Sequence, residues 1–131
     1  MTAKPLASVT FGRIAPGICV RDIHAALAFY SGVLGFEKVF ENGTPVGFMV
    51  LIKDEAEIHL NLKRDHTAST VNVAHLFVDD VAAVHATCQA AGVRIIKSLK
   101  DQDYGQRAFV FADPDGNRID VGERTANTNG E

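Results

Sequence analysis

Arg21-Asp22-Ile23-His24-Ala25-Ala26-Leu27-Ala28-Phe29-Tyr30-Ser31-Gly32-Val33-Leu34-Gly35-Phe36 is the stretch that decides the fold. Asp22 stands where a helix N-cap belongs, because a short carboxylate accepts from the first free backbone N–H groups. Ile23, Leu27, Tyr30 and Leu34 then recur at helical spacing, and Gly35 falls where a left-handed C-terminal cap favours a residue without Cβ. The stretch predicts a helix over residues 23–34. Upstream, Ile14, Ile18 and Val20 alternate with Ala15, Gly17, Cys19 and Arg21, as in a strand that ends at Asp22. Downstream, residues 36–40, 47–53 and 57–62 read as strands, the first two joined by a turn around Asn42-Gly43. The order is βαβββ.

Residues 63–71 are polar and without apolar periodicity, so they read as a connector. The second half of the chain repeats the first. A strand over 73–78 leads to Asp80 as a second cap, to a helix carrying Val81, Val84, Cys88 and Ala91, and to Gly92 at its end. Strands come next at about 93–98, 106–111 and 118–121, with a turn at Asp113-Pro114-Asp115-Gly116. Asp22 matches Asp80, Gly35 matches Gly92, Phe48 matches Phe109 and Ile58 matches Ile119, an internal repeat in constant order. The chain divides into an N-terminal extension (1–12), a first module (13–62), the connector (63–71), a second module (72–123) and a flexible tail (124–131).

Composition narrows the partners. With 131 residues, 47% of them hydrophobic, the chain can bury a real core. Thirteen Lys and Arg against 16 Asp and Glu give a formal charge of −3, so nucleic acid is not an expected partner. No apolar run approaches the roughly 18 to 20 residues that span a bilayer, and the first residues carry no apolar signal segment, so no membrane is expected and the cytoplasm is the expected location. Cys19 and Cys88 lack metal-type spacing and read as buried, reduced thiols. Asp79-Asp80 and Asp113/Asp115 are explained by helix-start and turn bonding, and His24, His66 and His85 by solvated surface.

Three segments carry a family likeness. Arg21-Asp22-Ile23 through Tyr30 and Val33-Leu34-Gly35-Phe36, Val78-Asp79-Asp80-Val81, and Tyr104-Gly105-Gln106-Arg107 with Asp113-Pro114-Asp115-Gly116-Asn117 together resemble the glyoxalase and bleomycin-resistance proteins of the vicinal-oxygen-chelate superfamily. The resemblance covers about residues 13–123. It implies an α+β fold of two βαβββ modules whose curved sheets surround a cleft. In the metalloenzymes of that family, a His stands near the start of each module's first strand and an acid in each last strand. Here those places hold Ala15 and Val73, then His59 and Asp120. The first two offer no donor atom. His75, two residues beyond Val73 and so roughly 6 to 7 Å along the same strand face, is the one substitute.

Strand alternation gives the expected site. Cys19, Glu57, His59, Asn61, His75, Phe77, Arg118 and Asp120 share the concave faces, and Arg107, Phe109 and Phe111 share one face of their strand. The expected ligand-binding residues are His59, Asn61, His75, Phe77, Tyr104, Arg107, Phe109 and Asp120. The leading expectation is a binding protein of the bleomycin-resistance type, without metal or other cofactor, acting as a homodimer. Its ligand would be a small aromatic compound, cationic because the cleft reads as acidic. Relatives that bind drugs stack on tryptophan, which this chain lacks, so bleomycin itself is not the expected ligand. The alternative is a glyoxalase-like lyase or extradiol-type dioxygenase holding a divalent metal on His59, His75 and Asp120.

Overall fold

The computed structural model describes residues 4–125. After a short 3-10 turn, Leu6–Ser8, come β1 (Gly17–Val20), α1 (Ile23–Gly32), β2 (Glu37–Asn42), β3 (Phe48–Lys53) and β4 (Ala56–Leu62). The second module runs through β5 (Asn72–Phe77), α2 (Val81–Ala90), β6 (Arg94–Asp101), β7 (Gln106–Ala112) and β8 (Arg118–Arg124). The fold is the expected α+β pair of βαβββ modules. Each module builds a four-stranded sheet, in order β1-β4-β3-β2 and β5-β8-β7-β6. The first strand is parallel to the last and the remaining pairs are antiparallel.

The caps act as the residues require. Asp22 accepts from the backbone N–H groups of His24 and Ala25, each at 3.1 Å, and Asp80 from that of Ala83 at 3.1 Å. Gly35 and Gly92 sit at φ 82° and 72°, in the left-handed region that ends each helix without a steric penalty. The first strand is shorter than expected, starting at Gly17, and Ile14 is 94% exposed. The last strand is longer. It includes Arg124, and both the backbone N–H and the hydroxyl of Thr125 donate to the carbonyl of Gly105, so the tail does not begin at 124. The rest of the expected tail lies outside the described residues.

One core serves both modules. Ile18, Val20, Met49, Leu51, Ile58 and Leu60 from the first sheet join Phe109, Phe111, Ile119 and Val121 from the second, with Tyr30 and Cys88 from the helices. Phe29 of α1 reaches Phe111 of β7 at 6.0 Å between ring centroids, so the first helix packs on the second sheet as well as its own. Each such aromatic contributes about 1.5 to 3 kcal/mol by leaving water.

The β7–β8 loop then clasps the modules together. Asp113, Asp115 and Asn117 are 5%, 8% and 3% exposed. Asp113 accepts from the Tyr30 hydroxyl at 2.7 Å as well as from its own loop, at the backbone N–H groups of Asp115 and Asn117 and the Asn117 side chain. Asp115 accepts from the backbone and guanidinium of Arg21, and Asn117 donates to the carbonyl of Cys19. The connector is pinned too, since His66 Nε2 lies 2.9 Å from Asn117 Oδ1. Turn chemistry alone therefore does not explain this loop, and His66 is not simply solvated. Nor is His85, whose ring meets Phe109 edge-on at 4.9 Å. Cys88 is buried as expected, while Cys19 is only half-buried, and both are free thiols.

Candidate functional site: two open sheet faces

The helices and the shared core cover one face of each sheet and leave the other open. On the first sheet, alternation lifts Glu57, His59 and Asn61 of β4 from the open face, and cross-strand register places Phe48, Val50 and Ile52 of β3 beside them. Three rings form a chain across it. Phe40 meets Phe48 at 6.2 Å, and Phe48 meets His59 at 5.4 Å, both edge-on. His59 Nε2 lies 2.7 Å from Glu57 Oε2, and Arg13 donates to the other carboxylate oxygen at 3.1 Å. Those two bonds, His59's first, hold the Glu57 carboxyl below its ordinary range.

On the second sheet the register sets His75 beside Asp120 and Val110 opposite Asp120. His75 Nδ1 lies 2.9 Å from Asp120 Oδ2, and Nε2 lies 2.9 Å from Gln106 Oε1. The imidazole packs on Phe77 at 4.5 Å, and the Arg124 guanidinium stands 5.7 Å from the Phe77 ring centroid. Gly122 makes room: a Cβ there would run into Gln106 Oε1 and stand 3.0 Å from His75 Nε2. Tyr104 lies in the preceding loop, 53% exposed; burial and then the charges of Asp120 and Asp103 raise its phenol above the ordinary value.

Six of the eight expected residues thus stand at these faces: His59 and Asn61 on one, His75, Phe77, Asp120 and the adjoining Tyr104 on the other. Two do not. Phe109 is 1% exposed, in the core against His85, and Arg107 projects from that same covered side of β7. The reason is a register of one. Seven residues separate Leu51 from Ile58, whereas eight separate their counterparts Phe111 and Ile119, because the clasp loop is longer. Phe109 therefore corresponds to Met49, not Phe48, and a one-residue offset turns a strand residue to the opposite face. The same offset hid Gln106, the β7 residue that does reach His75. The length of the Asp113–Asn117 loop was the signal available for finding it.

The metal set of the alternative reading, His59, His75 and Asp120, is not assembled within one chain. His59 pairs with Glu57 in one sheet and His75 with Asp120 in the other. Among the described residues, no group of three or more His, Cys, Asp or Glu side chains could hold a metal ion. The two carboxylates expected to attract a cation each lie against a base, Glu57 against Arg13 and His59 and Asp120 against His75. A cavity of about 300 Å³ does lie between the modules, lined by Arg13, Tyr30, Glu57, His75, Leu76 and Phe77 among others, and His59 and Asp120 are not in its wall.

A family model matches residues 10–121, nearly the whole described chain: the glyoxalase/bleomycin resistance protein/dioxygenase superfamily. The chain belongs to that superfamily. Among solved structures, a superfamily member from Sphaerobacter thermophilus DSM 20745 is 28% identical, with 88% of this chain and 98% of that one aligned at a TM-score of 0.72. A bleomycin-binding protein complexed with bleomycin is 22% identical over 88% of this chain and all of that one, at 0.71. TnmS3, an antibiotic binding protein from Streptomyces sp. CB03234, is 24% identical over 90% and 98%, at 0.70. No curated protein matches the sequence. Among the described residues, no helix is long and apolar enough to cross a membrane.

Proposed function

We propose that this superfamily member is a small-molecule binding protein of the bleomycin-resistance type, holding a flat aromatic compound on its open sheet faces and releasing it unchanged. The observation that carries this reading is the pair of aromatic–imidazole floors. Phe40 is 50% exposed at the end of the Phe40–Phe48–His59 chain, and Phe77 is 58% exposed over His75. Large aromatics left open on a sheet are otherwise unfavourable surface, and they suit a ligand or a partner chain. The bleomycin-binding and antibiotic-binding proteins of the same fold agree in kind with this reading.

The same exposure supports a homodimer. Val73, Phe77 and Phe40 on the sheets and Leu6, Phe11 and Ile14 on the N-terminal arm are each at least 40% exposed. A second copy that set one module's open face against the other's would cover them, and closed twofold symmetry is the commonest way to do so. Sedimentation is expected to give twice the 14.1 kDa chain mass. No metal is required. The rival reading, a metal-dependent lyase or dioxygenase using His59, His75 and Asp120, needs ligands from two sheets to meet across such a dimer. Elemental analysis of protein purified without an affinity tag or chelator decides: we expect no stoichiometric transition metal. Near one equivalent of zinc, iron, manganese or nickel, lost in His59→Ala and His75→Ala, would establish the rival. A thermal-shift screen of planar aromatic compounds tests the binding reading, which fails if none raises the melting midpoint.

A further inference from the structure

The open face of the second sheet carries more positive charge than the composition suggests. Register places Lys97 of β6 opposite Val110 and Lys100 opposite Ala108, residues that themselves sit opposite Asp120 and Gly122. Both lysines therefore rise from the face that holds His75. Arg118 and Arg124 alternate with Asp120 and Gly122 along β8 and belong to it as well. Among the described residues, none of these four bases is ion-paired to a carboxylate; Arg118 donates to the Thr70 carbonyl at 3.5 Å, and Arg124 lies over Phe77. The acids nearby are Asp120, which is held by His75, Asp103, beside Tyr104, and Glu55, Glu57, Asp79 and Asp80, which line cavities that Phe77 also lines. Among the described residues, four bases without a carboxylate partner thus share the face that holds the half-exposed Phe77, and Arg124 is the one that lies over its ring.

We propose that this face recognises the anionic group of an aromatic carboxylate, with Phe77 as the stacking platform and Arg124 meeting the oxyanion. The guanidinium fork matches a carboxylate with two parallel N–H bonds, and an arginine already lying over an aromatic ring is positioned for an anion carried on a stacked ligand. The Asp120–His75–Gln106 chain holds the imidazole against Phe77, and Gly122 leaves space for it. A polyanion is the poorer fit, because Asp120 stands in the middle of the face. This inference rests on the binding function proposed above and fixes the charge of its ligand, opposite in sign to the cation that the acidic residues suggested in the sequence.

Calorimetry on the full chain with three probes of one shape tests it: 2-naphthoate, neutral 2-naphthylmethanol and 2-naphthylmethylammonium, at one ionic strength. Naphthoate is expected to bind about tenfold tighter than the alcohol, the effect of one charge-assisted contact, and the ammonium weakest. Arg124→Gln should bring naphthoate down to the affinity of the alcohol while leaving the alcohol unchanged, with the melting midpoint verifying the fold. Lys38→Gln, on the covered side of β2, should change nothing. Tightest binding by the ammonium would overturn the anion inference and leave the binding function standing, whereas binding of none of the three would remove both. A short single-stranded oligonucleotide that binds tighter than naphthoate would overturn it in favour of a polyanion.

Discussion

The two modules share one frame and differ in what they place on it. His59 and Asp120 occupy the same position of the last strand, one residue after the matched Ile58 and Ile119. Across the parallel pairing His59 faces Gly17, while Asp120 faces His75. The first sheet therefore builds its polar group along one strand, Glu57 to His59, and leaves its open face aromatic. The second builds its group across three strands, and bases surround it. The hairpins diverge in the same way: Asp54 and Glu55 make a tight, exposed turn between β3 and β4, whereas the longer Asp113–Asn117 loop is buried against the first module. A duplicated frame is maintained by its caps and core, and its two open faces are free to take separate chemistries.

Substitutions at apparently matched aromatics should separate frame from face most strongly. Phe109→Ala empties a fully buried site and is expected to cost about 3 to 5 kcal/mol. Phe48→Ala, on the half-buried open face, should cost about 1 kcal/mol and weaken aromatic ligands instead. Urea unfolding of both variants checks this, and equal losses would mean that the faces have been assigned wrongly.

The hairpins come next. Asp113→Ala removes the acceptor of the Tyr30 hydroxyl and of three donors in its own loop, and should destabilise by about 2 to 4 kcal/mol. Glu55→Ala, in the matching exposed turn, should stay within about 0.5 kcal/mol. If both are silent in chemical denaturation, the clasp does not hold the modules.

Tyr30 gives the clasp a pH signature. Burial, and then the Asp113 charge, raise its phenol well above the ordinary value. The unfolded chain therefore ionises first as pH rises past about 10, the folded state then binds more protons, and stability falls with further increase in pH. The contribution is complete below that range. Tyr30→Phe should cost about 1 kcal/mol at neutral pH and flatten the alkaline decline, as read from melting midpoints between neutrality and the alkaline limb.

Much of the frame was legible in the sequence, because its determinants are local. Each cap is a carboxylate within three residues of the N–H groups it satisfies, and each helix end is a glycine at positive φ. The clasp was not legible, since Tyr30 and Asp113 lie 83 residues apart and Arg21 and Asp115 lie 94 apart, and nothing in a turn motif states that its carboxylates are aimed elsewhere. The site was half legible. Alternation along the first and last strands places His59, Asn61, His75, Phe77 and Asp120 on the open faces, where they stand, whereas matching Phe48 to Phe109 shifts β7 by one residue and puts Arg107 and Phe109 where Gln106 stands. Charge on the faces is hard to read for a related reason: composition does not state that Glu57 lies against Arg13 and His59 and Asp120 against His75, and two irregularities in β6 break the alternation that would give Lys97 and Lys100 a face.

The smallest expected effect is also the most local test of the difference between the faces. Gly17 and Gly122 lie on the open faces of the first and second sheets. At Gly17 a Cβ would meet only Asn61 Nδ2 at 3.4 Å, an ordinary contact, so Gly17→Ala should be neutral or stabilising by a few tenths to about 1 kcal/mol through the unfolded chain's lost freedom. At Gly122 the added methyl would occupy the place of Gln106 Oε1 and press on His75 Nε2. Gln106 is half-buried and its amide is the end of a flexible side chain, so it can swing aside, and Gly122→Ala should cost no more than about 1 kcal/mol. The movement itself is what distinguishes the faces. Losing Gln106 removes the Nε2 contact of His75 while Asp120 keeps Nδ1, so the imidazole nitrogen resonances of His75 should shift in Gly122→Ala and stay in place in Gly17→Ala. If both variants leave the His75 nitrogens unchanged, Gln106 does not hold that ring, and the second face is organised by Asp120 alone.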